Sequence, residues 1–173
     1  MDYILCFYSL EDNLFFLDLL LKVIKKYLNK EPEVTLDFEN GLFIKCKYFS
    51  ITIEDETKEY YEDMETNAQF AKKEYNLNVN KSFDIYFLSD YIDNEEIYGG
   101  FLKIIRDITM STDGDFVFFE YDLSGFIFKR EKGKIRLYKE TARYNESNEL
   151  YNKVFNDMQE IEWLEELEMD EIP

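Results

Sequence analysis

The sequence predicts an α+β fold: a single domain with a mostly antiparallel sheet packed with two helices, plus an acidic C-terminal helix at about 145–168. Three observations lead there. Strand-like runs outnumber helical ones, and hairpin signals join several of them, Asn40-Gly41 being the strongest. Two segments, 14–28 and 97–108, repeat apolar residues at three- and four-residue spacing. The 173 residues are 46% apolar and 18% aromatic, enough to bury a core despite a net charge of −18.

The elements follow in order. Residues 3–8 (Tyr-Ile-Leu-Cys-Phe-Tyr) are apolar on both faces, as in a central strand covered on two sides. Ser9-Leu10-Glu11-Asp12 offers a helix start with a capping hydroxyl and early acids. The helix runs to about Asn29 on a stripe of Leu14, Leu17, Leu21, Ile24 and Leu28. Lys22, Lys25, Lys26 and Lys30 gather at its C-terminal end, where the helix dipole favours cations. Pro32 stops it. Residues 34–38 form a strand that turns at Asn40-Gly41. The return strand carries Leu42, Ile44, Cys46 and Tyr48 on one face. Its apolar set then changes parity to Phe49, Ile51 and Ile53, which predicts a bulge near 48–50. Residues 54–65 read as a loop or exposed helix that 70–75 extends.

Residues 82–88 alternate as a strand, and Asp93-Asn94-Glu95-Glu96 has capping-box spacing. The second helix carries Ile97, Phe101, Ile104, Ile105 and Ile108; Gly99-Gly100 inside it marks either a late start or a close packing contact. A meander follows, with strands at 115–121, 126–130 and 134–138 and turns at Gly125 and Gly133. From Asn148 the spacing of Leu150, Val154, Met158 and Ile161 predicts the last helix, extended by Trp163, Leu164 and Leu167.

Composition narrows the chemistry. There is no histidine, which removes histidine-based triads, His-ligated zinc and the usual general base near neutral pH. Cys6 and Cys46 are too few for an all-thiolate zinc site and read as buried free thiols of a reducing compartment. Carboxylates are the only catalytic groups in quantity, and among 38 acids close pairs arise by chance. Asp113-Gly114-Asp115 lacks the EF-hand framework and reads as a turn from helix to strand. The expectation is a protein that is not an enzyme and needs no cofactor or metal. The negative charge argues against nucleic-acid and anionic-membrane partners. The acidic N-terminus and the longest apolar run, 14–21 with Asp18 inside it, give neither a targeting segment nor a span, so the cytoplasm is expected.

Charge is the main functional signal. Residues 54–65 hold seven acids against Lys58, a net −6. Residues 144–173 hold ten acids against Lys153, a net −9. Such faces keep a protein soluble; they also steer a basic partner in a salt-sensitive way. The candidate partner-binding residues are Glu54, Asp55, Glu56, Glu59, Glu62, Asp63 and Glu65, with the tail acids Glu162, Glu165 and Glu166. Tyr60 and Trp163 are the aromatic anchors that would supply short-range affinity.

The stretch 81–138 carries a strand (Phe83-Asp84-Ile85-Tyr86-Phe87), a helix, Thr112-Asp113-Gly114-Asp115 leading into a hydrophobic strand, and turns at Gly125 and Gly133. In this third of the chain it resembles the type 3 immunity family of the swarm-inhibition (Sit) polymorphic toxin systems. The resemblance implies a small cytoplasmic protein that neutralises a cognate toxin by binding it, and it transfers no binding residues. The acidic segments have no counterpart in it. If the toxin is a nuclease, an acidic inhibitor can occupy the phosphate positions of its basic cleft. Two other readings use the same residues: a phage-type acidic, DNA-mimicking inhibitor of a host defence nuclease, and a structural or assembly subunit whose acidic tail serves solubility.

Overall fold

Residues 3–7 are buried from both sides because they form the middle of a nine-stranded sheet. The structure, a computed structural model, describes residues 1–30, 32–37, 41–55, 66–121, 127–138, 148–155 and 161–164. Along the chain lie β1 (Asp2–Phe7), α1 (Asn13–Leu28), β2 (Glu33–Asp37), β3 (Gly41–Lys45), β4 (Phe49–Asp55) and α2 (Asn67–Tyr75). Then come β5 (Lys81–Phe87), α3 (Glu95–Met110), β6 (Phe116–Glu120), β7 (Phe128–Glu131), β8 (Lys134–Tyr138), α4 (Asn148–Phe155) and β9 (Ile161–Leu164). The strand order is β2-β3-β4-β5-β1-β6-β7-β8-β9. All neighbours run antiparallel except β8 and β9. The fold is α+β.

Each face of β1 meets its own helices. Tyr3, Leu5 and Phe7 join the larger core under α1, α3 and α4. That core is largely aromatic: the Phe7 ring lies 4.9 Å from Phe16 and 5.0 Å from Phe83, edge to face. Ile4 and Cys6 join Val117 and Phe119 of β6 under Ala71 and Leu77 on the other side. There α2 is seated by Asn67 Nδ2, which donates to Ser82 Oγ (3.2 Å) and Asp84 Oδ1 (2.8 Å). Thr66 and Gln69 cap it with a reciprocal box.

In the helix layer α3 lies between α1 and α4. Gly99 and Gly100 sit at these contacts: a Cβ at Gly99 would stand 2.9 Å from Leu150 Cδ1, and one at Gly100 would stand 2.6 Å from Leu28 Cδ2, both the movable ends of side chains. The pair is a close packing contact inside a helix that starts at Glu95, capped by the Asn94 side chain. Arg106 ties the layer together: it pairs with Asp107 at 2.9 Å, and its Nη1 donates to the Val154 carbonyl of α4. A hydroxyl chain crosses the core from Tyr3 to Tyr98 to Tyr151, with 3.3 Å at each step.

The structure departs from the sequence reading at the β3–β4 junction, in the buried face of α1 and at the C-terminus. β3 and β4 are two strands joined by residues 46–48, where Cys46 N donates to Phe49 O at 2.9 Å; the parity change is a chain reversal and not a bulge. In α1 the buried set is Phe16, Leu20, Val23 and Ile24, so of the predicted stripe only Ile24 is fully inside and Leu14 is 60% exposed. Nearly every residue from 14 to 21 is apolar, and the sheet selects the face that fits Phe16 against Phe7 and Phe83. At the C-terminus the helix is shorter than expected, because Ile161–Leu164 pairs with β8 as a parallel strand.

Phenol burial makes the stability of the fold fall at alkaline pH. Burial pushes Tyr3, Tyr75, Tyr98 and Tyr151 above the usual phenol range. In the unfolded chain these groups ionise near pH ~10, so the stabilisation from keeping them neutral is complete below that and falls as pH rises above it. A pH titration of phenolate absorbance is expected to show these four appearing with unfolding, after the exposed members of the 14 tyrosines. A smooth titration of all tyrosines with the fold intact contradicts the burial.

Candidate functional site

Strand direction gathers the loops. Asp55, Lys81, Phe7, Phe116, Arg130, Ile135 and Ile161 form one row across the sheet. β1, β4 and β7 end at this row, while β5, β6, β8 and β9 begin there. The β1–α1 connection, the α3–β6 turn and the β7–β8 hairpin therefore share one end of the sheet. The 56–65 segment also departs from this end, since it follows Asp55.

Two of these connections are tightly pinned. Gly114 lies on the backbone of Tyr8, where a Cβ would stand 2.5 Å from the Tyr8 carbonyl oxygen. Tyr8 N donates to Asp115 O at 3.1 Å. Ser9 is held on both sides by Asn80, whose Oδ1 accepts from Ser9 N (3.0 Å) and whose Nδ2 donates to Ser9 O (2.9 Å). Glu11 N donates to Ser9 Oγ (3.1 Å), and Asp12 Oδ1 accepts from Phe15 N (2.8 Å) as the cap of α1. The cap is thus Asp12, three residues after the serine that the sequence offered.

From β7, Arg130 holds the turn from beneath. Its guanidinium donates to the carbonyls of Thr112 and Gly114 and to Thr112 Oγ1 (3.0 Å), and it lies 5.0 Å from the Phe116 ring centre. Burial pulls its pKa below the usual arginine value, and the charges of Asp115 and Asp113 oppose that. Lys132 and Gly133 close the adjacent hairpin with φ of 52° and 78°, and Lys132 N donates to Asp115 Oδ1 at 2.9 Å.

On this fixed frame apolar side chains face outward. Leu10 is 89% exposed, Leu14 60% and Tyr8 43%. Tyr8, Leu10, Glu11, Ser111, Asp113 and Gly114 line an open groove of about 340 Å³. Exposed apolar residues are ordinary one by one; here Tyr8 and Leu10 stand together on a connection whose backbone is held by Asp115 and Asn80, with Leu14 in the first turn of α1. A second groove of about 400 Å³ lies over Gly99 and Gly100 between Tyr27 and Leu150, and its rim balances Glu95 and Glu96 against Lys103 and Lys153.

The sequence-derived candidates are not brought together. Glu54 and Asp55 belong to β4 and not to a loop, because they pair with Ser82 and Lys81. Lys81 is nearly buried; its Nζ donates to Asn13 Oδ1 (3.0 Å) and lies 3.9 Å from Asp55, so Asp55 serves the fold. Glu162 and Trp163 lie in β9, opposite Arg136 and Leu137. Glu54 and Glu162 stand at the two ends of one row, six strand spacings apart, or roughly 29 Å. Glu56, Glu59, Tyr60, Glu62, Asp63, Glu65, Glu165 and Glu166 lie outside the described residues.

The exposure of Tyr8 and Leu10, which line the groove, and of Leu14 on α1 escaped sequence reasoning. For Leu14 the available signal was the surplus of apolar residues over 14–21, more than one helix face can bury. For nucleophilic chemistry the thiols offer little: neither is in a disulfide, the Cys6 thiol is buried and donates to Asn67 O, and burial pushes the Cys46 thiol up and away from thiolate. Among the described residues no group of three or more Cys, Asp or Glu is placed to hold a metal ion. Among them, too, no helix is long and apolar enough to cross a membrane. No family model, curated protein or solved structure matches the chain.

The contact between Gly114 and Tyr8 can be tested through stability. Gly114→Ala is expected to destabilise by about 1–3 kcal/mol in urea unfolding, because the atom in the way is backbone. Gly100→Ala meets first the tip of a leucine that can turn aside, so the helix propensity gain of about 1 kcal/mol should leave it close to the parent. Equal stability of Gly114→Ala and the parent rules out the close approach.

Proposed function

We propose that the chain is an acidic binding protein that neutralises a basic protein partner by covering it, acting in the cytoplasm as an immunity protein does on its cognate toxin. The contact surface in this reading is the loop-bearing end of the sheet. One observation carries it: exposed Tyr8 and Leu10 stand on the hydrogen-bonded β1–α1 connection, with exposed Leu14 in the first turn of α1 beside them, at the end of the sheet where β4 stops before the acidic residues 56–65. The division of labour is physical. Long-range attraction from the net −18 speeds encounter, and a few rigid apolar anchors supply the affinity that charge alone does not.

Preorganisation supports this end over other surfaces. A loop already fixed by its own hydrogen bonds loses little entropy on binding. Binding without turnover fits the lack of histidine and the protonated Cys46 thiol, and the free thiols fit a reducing compartment.

The test is co-expression with the product of the gene encoded immediately beside this one. The neighbour is expected to kill alone and to be harmless when this chain is present. With the purified pair, the triple change Glu59→Lys, Glu62→Lys and Glu65→Lys should slow association at low salt by about tenfold or more. A harmless neighbour, or one that kills regardless, counts against the immunity reading; an unchanged association rate counts against the 56–65 segment as the steering element.

A further inference from the structure

The groove between the β1–α1 connection and the α3–β6 turn carries the reading one step further. We infer that it is the anchor site for a single arginine or lysine side chain of the basic partner. This rests on the binding role proposed above and adds the chemistry of the contact.

The lining, the charge around it and its size point to a long cationic side chain. The walls include Leu10, 89% exposed, and Tyr8, 43% exposed; an arginine or lysine lays its methylene stem on apolar surface and sets its charge over an aromatic face. The lip is acidic. Glu11 and Asp113 line the groove, and no lysine or arginine does.

The neighbouring charges are already engaged. Asp12 caps α1 and Asp115 accepts from Lys132 N. Arg130 is turned to the carbonyls beneath the turn, Lys132 lies 3.8 Å from Glu131, and Lys81 faces Asn13 and Asp55. The α1 N-terminus, which would otherwise favour an anion, is answered by Asp12. At about 340 Å³ the groove lies near the lower bound of ligand sites, the size for one side chain and not for a docked helix.

The probe is a short polyarginine peptide titrated into the full chain at low salt, read by backbone amide shifts and by affinity. Shifts are expected at residues 8–11 and 111–114. Glu11→Gln with Asp113→Asn should weaken binding about tenfold, and Tyr8→Ala should weaken it similarly while Tyr8→Phe retains it. The control Glu95→Gln with Glu96→Gln removes the same charge at the opposite end of α3 and should cost less than about threefold, the part due to general attraction. If the peptide binds but both double variants lose affinity equally and the shifts lie elsewhere, the anchor site is overturned and the acidic-binder reading stands. If no binding occurs at low salt, both fall.

Discussion

A single missing methyl group organises the loop-bearing end of the sheet. With no Cβ at Gly114, the turn after α3 can rest on the carbonyl of Tyr8, and the hydrogen bond from Tyr8 N to Asp115 O closes the contact. The chain leaving β1 and the chain entering β6 are thereby locked to each other. Arg130 secures the turn from the next strand and Asn80 secures Ser9 from the other side. Apolar side chains can then be displayed on this end without the loops collapsing inward to bury them.

The same logic of close approach shapes the interior. β1 is covered on both faces, and it reaches that position because α1, α3 and α4 press on one side while α2 presses on the other. Gly99 and Gly100 sit where α3 meets α4 and α1. The buried tyrosine chain then joins β1, α3 and α4 through hydroxyls that have partners, so burying those polar groups does not carry the cost of an unmade hydrogen bond.

Much of this was legible in the sequence. The two-sided apolar runs at 3–8 and 115–121 marked the central strands β1 and β6, and the spacing of Ile97 to Ile108 marked α3. The rest required tertiary information. Parity counting cannot distinguish a bulge from a chain reversal, so the turn at 46–48 was hidden. Periodicity cannot choose a face in a helix apolar nearly all round, so the exposure of Leu14 was hidden too. The parallel pairing of Ile161–Leu164 with β8 depends on a partner strand over twenty residues earlier, and its local pattern also suits a helix. The acidic residues suggested a charge for a proposed partner but no place for it: Glu54 and Asp55 are strand residues, with Asp55 beside a nearly buried lysine.

In the proposed reading, charge and anchors play different parts: the acids would set how fast a basic protein arrives, and the pinned groove with Tyr8 and Leu10 would set where it stays. Hydrogen–deuterium exchange of the chain, free and bound to the neighbouring gene's product, separates these parts directly. Slowed exchange on binding centred on residues 8–14 and 111–115 is the predicted result. Protection confined to the outer faces of α1, α3 and α4, with those loops unchanged, would contradict it.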